Sequence, residues 1–338
     1  MNEIDTHNSI TPPGFLRVVS GIALVIMIGA LLGMGYFLFV STPLPDNEPK
    51  ELFIVPLGMK GPDVVRKLKD TGFIEREWAF NLALFFKGRS EPSPGGYYIS
   101  KSMSTWGIAG VLRDRPSLRW VTIPEGLRKE EIADILADRL EWTREQRNTW
   151  ITTDTALEFD RREGVYFPDT YLIPTDESTA DVAKRMRARF EEKFAPYAKE
   201  ALAQNIRWPT VVKIASLIQR EAAGKEDMSL ISGVIWNRLL RGQRLEIDAT
   251  LQYARGDKGQ DWWAPITPAE KELDSPYNTY KRAGLPPTPI ANPGVDALAA
   301  AVRPAETKCL FYLHDREGAI HCAPTYAEHQ RNIETYLK

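Results

Sequence analysis

Residues 18–40 (VVSGIALVIMIGALLGMGYFLFV) contain no charged side chain. A bilayer core is crossed by a helix of roughly 20 apolar residues, so this run predicts a transmembrane helix. A buried soluble helix would show a polar stripe, and none interrupts the run. A cleaved signal peptide has a shorter core ending in a small-x-small site, whereas Ser-Thr-Pro-Leu-Pro follows here. Arg17 abuts the start of the run and the next basic residue is Lys50, so the positive-inside rule places residues 1–17 in the cytoplasm and residues from about 45 outside. Residues 41–50 (STPLPDNEPK) are polar and Pro-rich, as a spacer would be. At 338 residues the chain exceeds one ordinary domain, leaving room for two folded units. Lys+Arg at 43 against Asp+Glu at 45 removes any electrostatic case for nucleic acid. Cys309 and Cys322 are too few for a disulfide framework; one bridge outside the cytoplasm is open, and the sequence does not decide it.

The stretch FIVPLGMKGPDVVRKLKDTG from Phe53 repeats as VTIPEGLRKEEIADILADRL from Val121, aligning Val55 with Ile123, Pro56 with Pro124, Gly58 with Gly126, Val64 with Ile132 and Leu68 with Leu136. Each copy reads as a short strand, a Pro-x-Gly turn and an amphipathic helix. Residues 51–145 thus form a strand/helix repeat region that resembles LysM-like glycan-binding modules; a plain scaffold repeat fits equally, since neither copy shows a cluster of exposed aromatics. Residues 146–206 read as a connecting helical segment. The helical stretches are 142–159, which leads into this segment, and 181–199, and the turn-rich 163–171 supplies aromatics to pack on the next unit. From 207 to 338 helices alternate with Gly/Pro-rich loops and unusual polar residues accumulate, so the chemistry is assigned there. The expected class is α+β: an N-terminal transmembrane helix, small LysM-like strand/helix modules and a C-terminal mixed α+β catalytic domain.

Residues 209–223 (PTVVKIASLIQREAA) have helical periodicity, and Gly224 reads as the C-terminal stop. At about 100° per residue Val211, Ile214, Leu217 and Ile218 share one face, and Glu221 falls in the same arc. Lys213, Ser216, Gln219 and Arg220 are expected on the other side. A carboxyl in an apolar stripe is held protonated to higher pH by burial, as a general acid requires. A structural Glu satisfied by an arginine fits the periodicity too. The next helix, 227–241, turns Asn237 and Arg238 toward its apolar face beside Leu230 and Val234. Both suit sugar recognition or a structural network; Arg238 is expected to be structural, because pairing with Glu221 would lower the acid's pKa.

The run 215–221 (ASLIQRE), Val234 with Asn237-Arg238-Leu239, Gly242-Gln243-Arg244-Leu245, Asp248-Ala249-Thr250, Ser275 through Tyr280 (SPYNTY), Gly284-Leu285-Pro286-Pro287, Pro289-Ile290 and Asn292-Pro293-Gly294 resemble the endolytic murein transglycosylase (YceG-like) family. The tail, with Gly318 to His321 and Thr325 through His329, fits as well. Gln219, Ala249 and Thr288 depart from residues common in relatives, and none removes the acid. The resemblance implies a membrane-anchored peptidoglycan lyase of the bacterial inner membrane, its C-terminal domain periplasmic. It further implies that Glu221 protonates the MurNAc-GlcNAc bond of glycan strands and then, as a carboxylate, assists attack by the sugar's own C6 hydroxyl to leave 1,6-anhydro ends. The implied partners are glycan strands and peptidoglycan synthases; no cofactor and no metal are expected. Candidate substrate contacts are Asn237, Asp248, Thr250, Tyr277, Asn278, Tyr280 and Asn292.

Asp248 also reads as a helix cap or turn residue, and as the second carboxyl of a muramidase-type hydrolase, which in an inverting enzyme sits about 6.5–9.5 Å from the first. A non-catalytic glycan-binding envelope scaffold is the alternative of another class. Cys309, His314, His321, Cys322 and His329 raise zinc, but their spacing matches no standard ligand motif, and 309–322 reads better as a hairpin over residues 315–318. No phosphate loop, Gly-x-Ser-x-Gly elbow or His-Glu-x-x-His occurs.

Overall fold

A computed structural model describes residues 13–40, 48–88, 91–156, 162–257 and 261–338. Helix α1 covers Pro13–Val40 as 28 continuous residues, and its described apolar side chains, among them Val25, Ile26, Leu31 and Leu32, are exposed. Among the described residues no helix is long and apolar enough to cross a membrane. The predicted span, 18–40, runs partly onto side chains (19 and 35–40) that lie outside the described set, as do 41–47 of the predicted spacer.

The chain divides into two units, 1–118 and 119–338. In the first, strand β1 (Glu51–Val55) is followed by helices α2 (Gly61–Asp70) and α3 (Glu77–Phe86), strand β2 (Gly95–Ile99) and helix α4 (Thr105–Arg113). β1 and β2 are antiparallel, with Glu51 opposite Ile99 and Val55 opposite Gly95. Alternation sends Phe53 and Val55 inward and leaves Leu52 exposed. They meet Val64, Val65 and Leu68 of α2, Phe80 and Leu84 of α3, and Ile108 and Leu112 of α4 in one core.

The second unit begins within strand β3 (Leu118–Thr122), whose end is joined to strand β4 (Thr170–Pro174) by Ile123 N–H donating to Asp169 O at 2.9 Å. Helix α5 (Lys129–Leu140) completes the second repeat copy. The two copies match in conformation as well as sequence: Val55, Val64 and Leu68 and their counterparts Ile123, Ile132 and Leu136 are all buried. Gly58 and Gly126 take the left-handed φ of 77° and 78° that turns the strand into the helix. The copies belong to different units, because Ile123, Ile132 and Leu136 join a core with Val165, Tyr166 and Phe167 instead of closing on the first copy.

Helix α6 (Arg144–Thr149) runs into a π-helical turn at Trp150–Asp154, so the helical reading of 142–159 holds in two short pieces; 157–161 lie outside the described residues. Helix α7 is longer than predicted, Thr179–Ala203, because Ser178 caps it by accepting from Asp181 N–H at 3.1 Å. Its Val182, Met186 and Phe190 join the same core as helix α8 (Trp208–Glu221), so 146–206 and 207–338 pack as one body. Helices α9 (Lys225–Leu240), α10 (Asp248–Arg255) and α11 (Val295–Val302), hairpin strands β5 (Phe311–His314) and β6 (Ile320–Ala323), and helix α12 (Tyr326–Tyr336) complete the mixed α+β fold. The hairpin is the one expected, with Phe311 opposite Ala323 and His314 opposite Ile320. Cys309 and Cys322 are joined as a disulfide.

Two expectations for α8 are corrected. Its last residue is Glu221, since Ala222 turns to extended backbone at ψ 136°, and Gly224 starts α9 instead of stopping α8. Ser216 is buried with the apolar stripe, its hydroxyl donating to Lys213 O at 2.7 Å and accepting from Ile290 N–H at 3.1 Å. Val211, Val212, Ile214, Leu217 and Ile218 are each fully buried, about 1.5–3 kcal/mol apiece, so one satisfied hydroxyl among them costs little.

Candidate active site

Because α8 stops at Glu221, the carboxyl emerges where the core stripe meets a cleft of about 440 Å³. The cleft is lined by Glu221, by Val234, Ile235 and Arg238 of α9, by residues 245–248, by Tyr280, by Phe311 and Tyr312 of the hairpin, and by Tyr326 and His329. Glu221 is half-buried, open to the cleft and not sealed in the core.

The Tyr312 hydroxyl donates to Glu221 Oε2 at 2.5 Å. Burial raises the Glu221 pKa above the ordinary carboxylate range, the Tyr312 bond works against this, the charge of Asp248 adds to it, and His314 and Arg220 oppose it. Tyr312 itself is pushed well above the ordinary phenol value by burial and by the adjacent carboxylate, so it stays a donor. The pair therefore holds a carboxyl that binds a proton to higher pH, beside a donor that steadies it once the proton is given away.

Arg238 lines the cleft, but its donors serve other groups: Nε to Leu310 O at 2.6 Å, and Nη1 to Leu245 O at 2.7 Å, Arg244 O at 3.2 Å and Glu246 Oε2 at 3.4 Å. The guanidinium of Arg220 stacks 3.7 Å from the Trp263 ring and bonds Gly126 O at 3.3 Å. Neither arginine hydrogen-bonds Glu221, so burial and the Tyr312 bond are the main influences on its carboxyl.

The other predicted site residues divide sharply. Asp248, exposed at the first turn of α10, and Tyr280, which hydrogen-bonds it, face the cleft with Glu221. The remaining five do not line it, and their polar groups are already used. Asn237 Nδ2 donates to Thr307 O at 2.8 Å and Cys309 O at 3.0 Å, tying α9 to the chain entering the hairpin. Thr250 is fully buried, bonded to Ile247 O at 2.7 Å and Thr279 Oγ1 at 3.0 Å. Asn278, also buried, donates to Lys271 O and Leu273 O and accepts from Tyr280 N–H, so it shapes the loop that presents Tyr280. Tyr277 pairs its hydroxyl with Thr288 Oγ1 at 2.7 Å. Asn292 is buried between Tyr166 N–H, Leu127 O and Glu163.

Sequence reasoning missed Tyr312, which lies 91 positions from its partner. Only the hairpin alternation carried a signal, since it places Tyr312 and His314 on one face. It also missed Glu163, 1% exposed, whose carboxylate takes Asn292 Nδ2 at 2.6 Å and Lys129 N–H at 3.2 Å. Burial, and then the charge of Glu130, push Glu163 up to about 8 against Arg128 and Lys129. Among the described residues no three His, Cys, Asp or Glu converge to hold a metal ion; His314 pairs with Asp227 at 3.0 Å and His321 with Asp315 at 2.7 Å.

The model of the YceG-like family matches residues 53–335. The chain belongs to this family. It is similar to an endolytic murein transglycosylase of Bacillus subtilis strain 168, 29% identical with 86% of each chain covered. It is also similar to one of Streptococcus pneumoniae serotype 2, 27% identical over 91% of this chain, of which it spans 62%. Among solved structures, the 2.6 Å crystal structure of a YceG-like protein from Listeria monocytogenes matches with a TM-score of 0.58 at 26% identity, covering 84% of this chain and 99% of that one. Gln219 has a structural use: its Oε1 accepts from Gly294 N–H at 2.9 Å, fastening the Asn-Pro-Gly loop to α8 two residues before the helix ends at Glu221.

Proposed function

We propose that this YceG-like chain is an endolytic peptidoglycan lytic transglycosylase, cutting nascent glycan strands at the MurNAc-GlcNAc bond and so ending their elongation. One observation carries the reading: Glu221 stands in an open cleft with its pKa raised by burial and a tyrosine donor on its carboxyl. The names of the similar proteins, endolytic murein transglycosylases, point the same way. Glu221, protonated, donates to the glycosidic oxygen as the C1–O bond breaks and positive charge develops on the MurNAc ring. The resulting carboxylate, held by Tyr312, takes the proton of the C6 hydroxyl as that oxygen bonds to C1. The acid is regenerated, no water is consumed, and a 1,6-anhydro end remains. Asp248 and Tyr280 line the path of the sugar.

The finer parts of the reading have separate supports. The uncharged run 18–40 on a continuous helix supports a single-pass inner-membrane anchor with the rest of the chain outside. The Cys309–Cys322 bridge supports an oxidising, extracytoplasmic location for the second unit. The strand–turn–helix repeat supports LysM-like glycan contact, and family resemblance supports synthases as neighbours. Because Asp248 shares the cleft with Glu221, a two-carboxylate hydrolase is the second reading. Digestion of purified glycan strands separates them: anhydro-ended fragments support the lyase, reducing ends the hydrolase, and no cleavage a glycan-binding scaffold. Glu221→Gln is expected to lower anhydro product at least ~100-fold with an unchanged melting temperature. Retained activity in that variant overturns the assignment of Glu221.

A further inference from the structure

Helix α3 is apolar around most of its circumference. Ala79, Phe80, Ala83 and Leu84 fill the core of the first unit. On the opposite side Trp78, Leu82, Phe85 and Phe86 are 56%, 38%, 75% and 66% exposed. At about 100° per residue these four fall within one arc of roughly 100°, so they form a continuous strip, broadened by Trp106, whose ring lies 6.4 Å from that of Phe86. A helix apolar around most of its circumference is normally covered there, and a contiguous exposed strip of large apolar side chains marks a surface that meets something. At its C-terminal edge stands a cation, Lys87, 4.8 Å above the Trp106 ring, and Arg89 follows two residues later.

We propose that this strip of α3 lies in the interfacial region of the phospholipid bilayer, docking the first unit on the membrane surface. The proposal rests on the reading of residues 18–40 as a membrane anchor. Only ten residues, 41–50, separate that run from β1, and ten extended residues reach at most about 36 Å. The first unit is thereby confined near a bilayer surface whatever its orientation. The strip has the chemistry of that surface: Trp and Phe with apolar bodies suit the headgroup boundary, and Lys87 at the edge complements anionic headgroups. Confinement by the tether removes most of the entropic cost of finding the surface, so a strip of four large side chains suffices where a free domain would need a larger one.

The test is site-directed spin labelling of the full chain in nanodiscs containing anionic lipid. Single cysteines are introduced at Phe85, at Val25 within α1, and at exposed Asp274 as the aqueous control, the native cysteines being joined to each other. For each nitroxide the accessibilities to oxygen, which concentrates in lipid, and to a neutral nickel chelate, which stays in water, are compared. The proposal expects the label at 85 to favour oxygen over nickel several-fold relative to that at 274, and Leu82→Cys to give the same result. Nickel access at 85 equal to 274, with lipid access at 25, overturns the docking and leaves the anchor standing. Nickel access at 25 and 85 alike overturns the anchor and the docking together. A label at 85 shielded from both reagents means that protein covers the strip, and spin–spin broadening would identify a second copy; either result overturns a lipid partner.

Discussion

Replacing Tyr312 by Phe removes one oxygen and tests how Glu221 is tuned. The phenol donates to Glu221 Oε2 at 2.5 Å, and a hydrogen bond to a charged acceptor is worth about 1.5–3 kcal/mol. Glu221 is half-buried at the cleft wall, which argues for the lower end. Since one pH unit corresponds to 1.36 kcal/mol, the loss amounts to about one unit. The sign follows from which form the bond favours. Tyr312 stabilises the ionised carboxylate and opposes the upward shift caused by burial, so its removal raises the Glu221 pKa further. In the proposed mechanism Glu221 begins protonated, and the high-pH limb of activity therefore moves up by about one unit. The carboxylate that forms after proton donation has lost its donor, so the plateau rate falls ~10-fold. Release of anhydro-ended fragments, measured from pH 4 to 9 for wild type and Tyr312→Phe, checks both effects. A limb that stays in place or moves down, or a plateau that does not fall, refutes the reasoning.

Asp248→Asn removes the neighbouring charge that raises the Glu221 pKa, so the same limb moves to lower pH; a lyase keeps its plateau within about tenfold, whereas loss of a second catalytic carboxylate costs ~100-fold or more. Glu163 has a folded-state pKa raised to about 8, so its contribution to stability is full below about 4.5 and is lost as pH rises through 8. Urea titrations should show wild type losing on the order of a few kcal/mol across that window and Glu163→Gln losing much less; parallel pH profiles would contradict the assignment. Replacing Cys309 and Cys322 together by Ser opens a loop of 13 residues' separation, which should cost ~2–3 kcal/mol in denaturant midpoint analysis, with added reductant leaving the double variant unaffected.

Periodicity carried the parts of the fold that periodicity governs. The two strand–turn–helix copies were readable because a buried strand and an amphipathic helix leave fixed spacings, and because only glycine readily takes the left-handed turn at residues 58 and 126. Glu221 was readable for the opposite reason, as a carboxyl breaking an apolar stripe. The end of α8 was not, since Ala222 and Ala223 are good helix formers and the chain nonetheless turns extended at Ala222. Nothing within the window 209–223 encodes that turn, which makes Glu221, at the cleft wall, the last residue of α8.

The amide side chains show why residue type alone does not tell which residues line the cleft. Asn237, Asn278 and Asn292 have the donors and acceptors of glycan contacts, and each is spent on the protein's own backbone. The cause is the irregular path of the chain around them, Pro- and Gly-rich over 271–294 and without regular structure over 304–309. Such chain cannot pair its carbonyls in a ladder, and buried backbone groups left unpaired are costly, so amides take the place of strands. These bonds lead to the chemistry indirectly. Asn278 holds the loop that offers Tyr280 to Asp248, and Asn237 holds Cys309, from which the hairpin carries Tyr312 to Glu221. Through this support Asn237→Ala should reproduce the raised high-pH limb of Tyr312→Phe although Asn237 does not line the cleft. Combining the two substitutions should then shift the limb no further than Tyr312→Phe alone, because both act through the same hydrogen bond. A double variant whose limb moves by the sum of the two separates Asn237 from Glu221 and breaks the argument at its longest link.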